Sequence, residues 1–121
     1  MHKIAFLLLL ACAGFASAQD AAVVNADTIR VTLDNERVRV LEATILPGTK
    51  ENMHQHPPSI VHVIEGGKMR NHFADGKTSV SELVAGTSQW REAITHWAEN
   101  IGDTTVKVII VEFKDAKPET K

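Results

Sequence analysis

Cysteine is nearly absent from this 121-residue chain: the single one, Cys12, lies in the apolar N-terminal stretch. Tyrosine is missing altogether, so no phenol is available for acid–base work. A basic excess is missing too. Thirteen Lys and Arg face fifteen Asp and Glu, and the net charge is −2. Nothing in that balance neutralises a phosphate backbone, so nucleic acid is not an expected partner. Hydrophobic runs long enough to span a bilayer are lacking: the apolar stretch at 4–16 is too short. The chain also has no Ser-His-Asp arrangement, no phosphate loop and no pair of carboxylates at a usable spacing.

What is present at the N-terminus reads as a leader. A short positive start, "MHK", precedes the apolar core "IAFLLLLACAGFA", and Ala16-Ser17-Ala18 forms an A-x-A cleavage signature. The expectation is a secretory signal peptide over residues 1–18, cut between Ala18 and Gln19, and a secreted or periplasmic protein with no membrane span in its mature chain. Leu9-Leu10-Ala11-Cys12 also loosely fits a lipoprotein signal, a lesser option beside the A-x-A site. Cleavage before Gln19 removes Lys3 and no acid, so the mature chain is more acidic, and it removes the only cysteine. The mature protein then holds no disulfide and no thiolate ligand, although it is exported to an oxidising compartment. Its length suits one domain.

Downstream, short strands alternate with turns. "TIRVTL" (28–33) and "RVRVLEATI" (37–45) alternate apolar and polar residues with period two. "SIVHVIE" (59–65) is nearly continuous in apolar character, which predicts a strand buried on both faces. "KMRNHF" and "TSVSEL" flank Asp75-Gly76, a hairpin signal. "SQWR", "THWAEN" and "TTVKVIIVEF" are further strands. No convincing helix appears after residue 28. Residues 19–27 read as a lead-in that wraps the domain or a neighbouring subunit, 28–114 as the strand-built domain, and 115–121 as a disordered polar tail. This spacing of strands and turns predicts an all-β sandwich or barrel.

Three of the six histidines lie in "GTKENMHQHPPSIVHVIEGG". His54 and His56 are two apart, so on a strand both imidazoles point to one face and reach one ion. Imidazole suits zinc, copper, iron and nickel. His96, at a strand start after a turn-like stretch, is the best third ligand. His72 and Arg70 fall on the face opposite Met69 and Phe73, away from any site.

These residues resemble the cupin superfamily. Gly48-x5-His54-x-His56, followed by an apolar strand and a glycine turn, is similar to its first motif. Gly86…His96-x3-Asn100 is similar to the second. The resemblance covers roughly 38–113. It implies a jelly-roll, double-stranded β-helix barrel whose interior metal is held by His54, His56 and His96, with the ion being Fe, Mn, Zn, Ni or Cu. The sequence departs from the family pattern. Counting back from Gly67 or Gly66 reaches Ile60 or Ser59 where a glutamate ligand is usual. Glu92 stands where proline is usual, and the Gly86 to His96 interval is shorter by a residue. A site of three neutral imidazoles leaves the ion its full charge and open positions, suited to Lewis-acid chemistry. Three-histidine iron centres resemble those of thiol and diketone dioxygenases.

His62 and Trp90 are candidate pocket residues. The Gly67 count turns Ile60, His62 and Ile64 inward and the Gly66 count turns His62 outward, because one residue of slip flips every side chain. Trp90 flanks His96 in sequence and could line a pocket mouth. Asn100 reads as a turn residue before Ile101-Gly102-Asp103, and Glu92 as a solvated loop acid. The expectation is an exported protein binding a divalent metal and a small-molecule ligand or substrate. It is either a metal-dependent enzyme such as a dioxygenase, lyase or isomerase, or a non-catalytic binding protein, and it is expected to form a homodimer. The intact three-histidine set speaks for the enzyme, the preferred reading, and the lack of a clear acid or base beside the histidines speaks for the binder.

Overall fold

Alternation along the sequence becomes two facing antiparallel sheets in the computed structural model, which describes residues 19–115. The leader at 1–18 and the tail at 116–121 lie outside the described residues. A single helical turn, α1 (Ala21–Val24), precedes nine strands: β1 (Ile29–Asp34), β2 (Val38–Ile45), β3 (His54–His56), β4 (Ser59–Glu65), β5 (Gly67–Phe73), β6 (Thr78–Leu83), β7 (Ser88–Arg91), β8 (Ile94–Asn100) and β9 (Val106–Phe113). One sheet has the order β1-β2-β9-β4-β7 and the other β3-β8-β5-β6. Chain neighbours β4 and β5 lie in different sheets, so the chain crosses the sandwich repeatedly and closes it around one interior.

The inner face follows the period-two pattern. Leu41, Ala43 and Ile45 on β2 and Val106, Val108 and Ile110 on β9 are all buried. On β4 the inward residues are Ser59, Val61 and Val63, while Ile60 and Ile64 are 36% and 46% exposed. This corrects the expectation of a strand buried on both faces. An apolar run does not require two-sided burial, because the outer face of this sheet is itself apolar. Inward side chains turn polar at one end of the barrel: β9 continues from Ile110 to Glu112, β4 begins there with Ser59, and β8 places His96 beyond Ala98. That end carries the site.

The lead-in packs onto the barrel. Asp20 caps α1 by accepting from the Ala22 amide at 3.0 Å and bridges to Gln55 on β3. Asn100 is buried and braces the β8–β9 turn: its amide donates to Ile45 O at 2.9 Å and Thr104 O at 2.8 Å, and its oxygen accepts from the Gly102 amide at 3.0 Å.

Where β4 passes to β5, Gly66 sits under the backbone of the β6–β7 connection. A Cβ there would lie 2.2 Å from the carbonyl oxygen of Leu83. Gly48 has φ +80° but open space around it. Gly66→Ala is therefore expected to cost about 2 kcal/mol or more, since backbone must move. Gly48→Ala should cost only about 1 kcal/mol of left-handed strain. Thermal melting of both variants checks the order, and an equal or smaller shift for Gly66→Ala would show that the approach is relieved elsewhere.

Candidate metal centre

Pairing of β3 with β8 places His54 directly opposite His96, and the two-residue step to His56 keeps its ring on the same face. All three are buried, His54 to 1% exposure. Ring centroids are 4.8 Å apart for His54–His56 and His54–His96, and 5.6 Å for His56–His96. One ligand nitrogen from each lies within 4.8 Å of the others.

The Nδ1 atom of each ring is already engaged. His54 Nδ1 lies 2.7 Å from the Asn52 carbonyl oxygen. A carbonyl can only accept, so this nitrogen carries the proton. The Asn25 amide nitrogen lies 3.0 Å from the same Nδ1 and also faces Asn52 O at 3.4 Å. Its orientation is set by the Asn52 N–H, which donates to Asn25 Oδ1 at 2.7 Å, so both donors converge on that carbonyl. His56 Nδ1 donates to Glu112 Oε2 at 2.7 Å. His96 Nδ1 donates to Asn71 Oδ1 at 3.1 Å. Three protonated Nδ1 atoms leave three Nε2 lone pairs as the free donors, the tautomer that metal-bound histidines keep when their other nitrogen is anchored.

Electrostatics favour the neutral, ligating form. Burial pushes the His54 pKa down to about 4, partly opposed by the Asn52 carbonyl. Burial pushes His96 down to about 3, helped by the neighbouring His54, His56 and Arg91. Glu112 is opposite: burial alone would raise its pKa, but hydrogen bonds from His56 and Arg39 outweigh this and hold it below the usual carboxylate range. Arg39 Nε donates to Glu112 Oε1 at 2.8 Å, and its Nη1 donates to Asp20 Oδ2 at 2.5 Å. The lead-in therefore supports two of the three histidines, His54 through Asn25 and His56 through Asp20, Arg39 and Glu112.

The rings face a small cavity of about 40 Å³, lined by Glu51, Asn71 and Arg91 beside them and by aliphatic side chains such as Val61, Met69 and Ile110. Glu51 accepts from the Ala98 amide at 3.1 Å. Burial raises its pKa to about 7 against the opposing effects of that bond and of Arg91. A carboxyl that titrates near neutrality in a cavity beside three imidazoles is a proton donor and acceptor. The sequence pattern suggests no acid or base beside the histidines, and Glu51 supplies one.

The two candidate pocket residues lie elsewhere. His62 points out of the barrel, because Ser59, Val61 and Val63 point in, and its Nδ1 is 2.7 Å from Ser88 Oγ. Trp90 is 55% exposed, pairs with the outward Ile60, packs on Phe113 and donates to Glu92 at 2.8 Å. Neither lines the cavity. His72 stacks on Trp97 at 3.6 Å on the outer face of the other sheet. Glu112 and Asn71 were readable: Glu112 is in phase with Val106, Val108 and Ile110, and Asn71 with Met69. Glu51, Asn25 and Arg91 carry no such signal.

Solved structures resemble this one. A cupin domain from Bordetella pertussis Tohama I is 30% identical, with a TM-score of 0.66 over 72% of this chain and 92% of that one. A protein with a double-stranded β-helix domain from Klebsiella pneumoniae is 23% identical, with a TM-score of 0.55 over 72% of each chain. A cupin superfamily protein from Desulfitobacterium hafniense is 13% identical, with a TM-score of 0.54 over 72% of this chain and 76% of that one. No protein-family model and no curated protein matches the chain.

The titrations set an expected stability profile for metal-free protein. Unfolded histidines take up protons near 6.5, whereas folded His54 and His96 resist until about 4 and about 3. Their contribution is therefore present above 6.5 and lost as pH falls through the folded values. Glu51 acts in the opposite sense. Its folded value of about 7 exceeds the unfolded 4.5, so its contribution is full below 4.5 and lost as pH rises through 7. Between pH 6.5 and 4.5 two histidines outweigh one carboxyl. The net loss is one proton's worth, about 1.4 kcal/mol per pH unit. Denaturant unfolding in chelator should show that slope, and Glu51→Gln should double it. Equal slopes would mean that Glu51 is not held protonated.

Proposed function

We propose that this chain, which belongs to the cupin superfamily, holds one divalent metal ion through His54, His56 and His96 and acts as a metal-dependent enzyme on a small molecule admitted to the barrel. The observation that carries this reading is the commitment of all three Nδ1–H groups to Asn52, Glu112 and Asn71, which leaves three neutral Nε2 donors facing one buried space. Imidazole donors suit iron, zinc, nickel or copper, and manganese, which prefers oxygen ligands, less well. Such an ion, when bound, supplies Lewis-acid chemistry or, as iron, oxygen-dependent redox chemistry. The chain's own residues do the rest. Glu112 and Asn71 fix ring orientation, the aliphatic walls exclude water, and Glu51 exchanges a proton near neutral pH at its carboxyl. Glu51 is what favours an enzyme of the dioxygenase, lyase or isomerase kind over a binding protein.

Two further parts of the reading rest on other observations. Export is supported by the A-x-A leader at 1–18. A homodimer is supported by the outer face of the five-stranded sheet. There Leu33, Val40, Val111, Ile60 and Trp90 are successive cross-strand partners, one from each strand. Exposure is 47% at Leu33 and 55% at Trp90. Glu42 ion-pairs with Arg30 and Lys107 beside this row, so a two-fold copy meets both signs of charge.

Metal analysis of purified protein is expected to find about one divalent ion per chain, and His54→Ala and His96→Ala are expected to lose it. Glu112→Gln should weaken metal affinity by about 10–100-fold through loss of the His56 anchor. Metal content unchanged in the histidine variants sinks the metal reading. Oxygen uptake by the Fe(II) form with thiols and 1,3-diketones tests the enzyme, and Glu51→Gln should lower turnover with its metal retained. Full metal with no turnover across that panel removes the dioxygenase reading and favours a non-catalytic binder. Sedimentation should give a dimer for the unmodified protein and a monomer for Ile60→Glu.

A further inference from the structure

Four side chains at one level of the barrel are successive cross-strand partners: Arg91 on β7, Ser59 on β4, Glu112 on β9 and Arg39 on β2. Partners across an antiparallel pair share a face, and Ser59 and Glu112 face inward, so both arginines do. Their situations differ. Arg39 is bound to Glu112 and Asp20. Glu112 has one oxygen on Arg39 and the other on His56, and Arg91 makes no ion pair with it. Between them stands Ser59, too short to bridge.

Arg91 thus lines the cavity with no ion-pair partner among the described residues. The only opposing charge felt at longer range is Glu51, and burial lowers the Arg91 pKa from its ordinary value. Glu51 is itself tied to the Ala98 amide. A half-buried guanidinium with no anion beside it favours one that arrives. Arg91 and Asn71 also line a depression on the outside, with Phe73, Ser81 and Gln89. They therefore stand at the neck between that depression and the histidines.

We propose that Arg91 anchors the carboxylate of a small anionic ligand at this neck, with the remainder of the ligand directed toward His54, His56 and His96. This rests on the metal-centre reading for what lies at the inner end. A carboxylate matches the planar fork of a guanidinium with two parallel hydrogen bonds. Cavity size limits the rest: about 40 Å³ is room for about three water-sized groups. The ligand class is a short-chain carboxylic acid of about two to four carbons with a polar inner end.

The test is calorimetric titration of zinc-loaded and metal-free protein with glycolate, pyruvate and malonate, and with glycolamide and pyruvamide as uncharged counterparts. Unmodified protein should bind the acids at least about tenfold more tightly than the amides. Arg91→Gln should weaken the acids by about 10–100-fold, the size of a lost charged hydrogen-bond pair, and leave the amides and metal content unchanged. Arg91→Lys, which keeps charge but not the fork, should fall between and guards against a folding defect in the glutamine variant. Acids and amides bound alike, no binding of any acid, or Arg91→Gln binding the acids as before overturns the proposal. A protein that takes up no zinc refutes the metal-centre reading instead, and the metal-free titration then decides the arginine's role alone.

Discussion

Glu112 is a carboxylate buried to 2% exposure at the polar end of the barrel interior, and an unpaired charge there would be untenable. Each partner that neutralises it comes from a different element. Arg39 comes from β2 and holds Asp20, the cap of α1. His56 comes from β3, the short edge strand whose place in the sheet is fixed by β8. One buried charge therefore ties the lead-in, both sheets and the first histidine pair together. The cost of breaking it is large for the same reason: removing any member leaves another buried and unpaired.

The barrel has two ends of different chemistry, and the strands lay them out by simple alternation. At one end the inward residues are Val63, Val106 and Val108; at the other they are Ser59, Glu112 and His96. Among the described residues, no phenylalanine or tryptophan belongs to the buried core. Small aliphatic walls leave a cavity beside the histidines and keep it poor in water. That burial lowers the pKa values of His54 and His96 and raises that of Glu51. Neutral imidazoles and a carboxyl near its midpoint are thus consequences of the packing rather than separate devices.

Strand periodicity made the fold legible, and the H-x-H step with a distant His96 made the histidine cluster legible. Parity failed at Pro57-Pro58, which break the alternation between His56 and β4. From sequence, Gly66 and Gly67 were equal starting points for the count, and they assign opposite faces to His62. The structure agrees with the Gly66 count, because Ser59, Val61 and Val63 are the buried residues of β4 and His62 lies between them on the outer face. Trp90 was misplaced for a related reason. Nearness to His96 in sequence says nothing about face, and pairing with Ile60 turns Trp90 outward. Glu51 and Asn25 stay invisible to pattern because they lie in irregular segments, positioned by Ala98 and Asn52.

The acidic ligand missing at Ser59 has a counterpart one strand away. Glu112 is the direct cross-strand partner of Ser59, yet its carboxylate stands behind the His56 ring on Nδ1, away from the free Nε2 donors. Moving a negative charge from a ligand position to an anchoring position changes what the centre attracts. Three neutral donors cancel none of an ion's charge. Glu112 lies one imidazole further off and shares its charge with Arg39, which Asp20 also draws on. Glu51, with its pKa raised to about 7, is about half ionised at neutral pH, and Arg91 adds a positive charge on the same cavity wall. With an ion bound, the sum would be an electropositive pocket in an acidic protein, and such a pocket would discriminate by charge before shape.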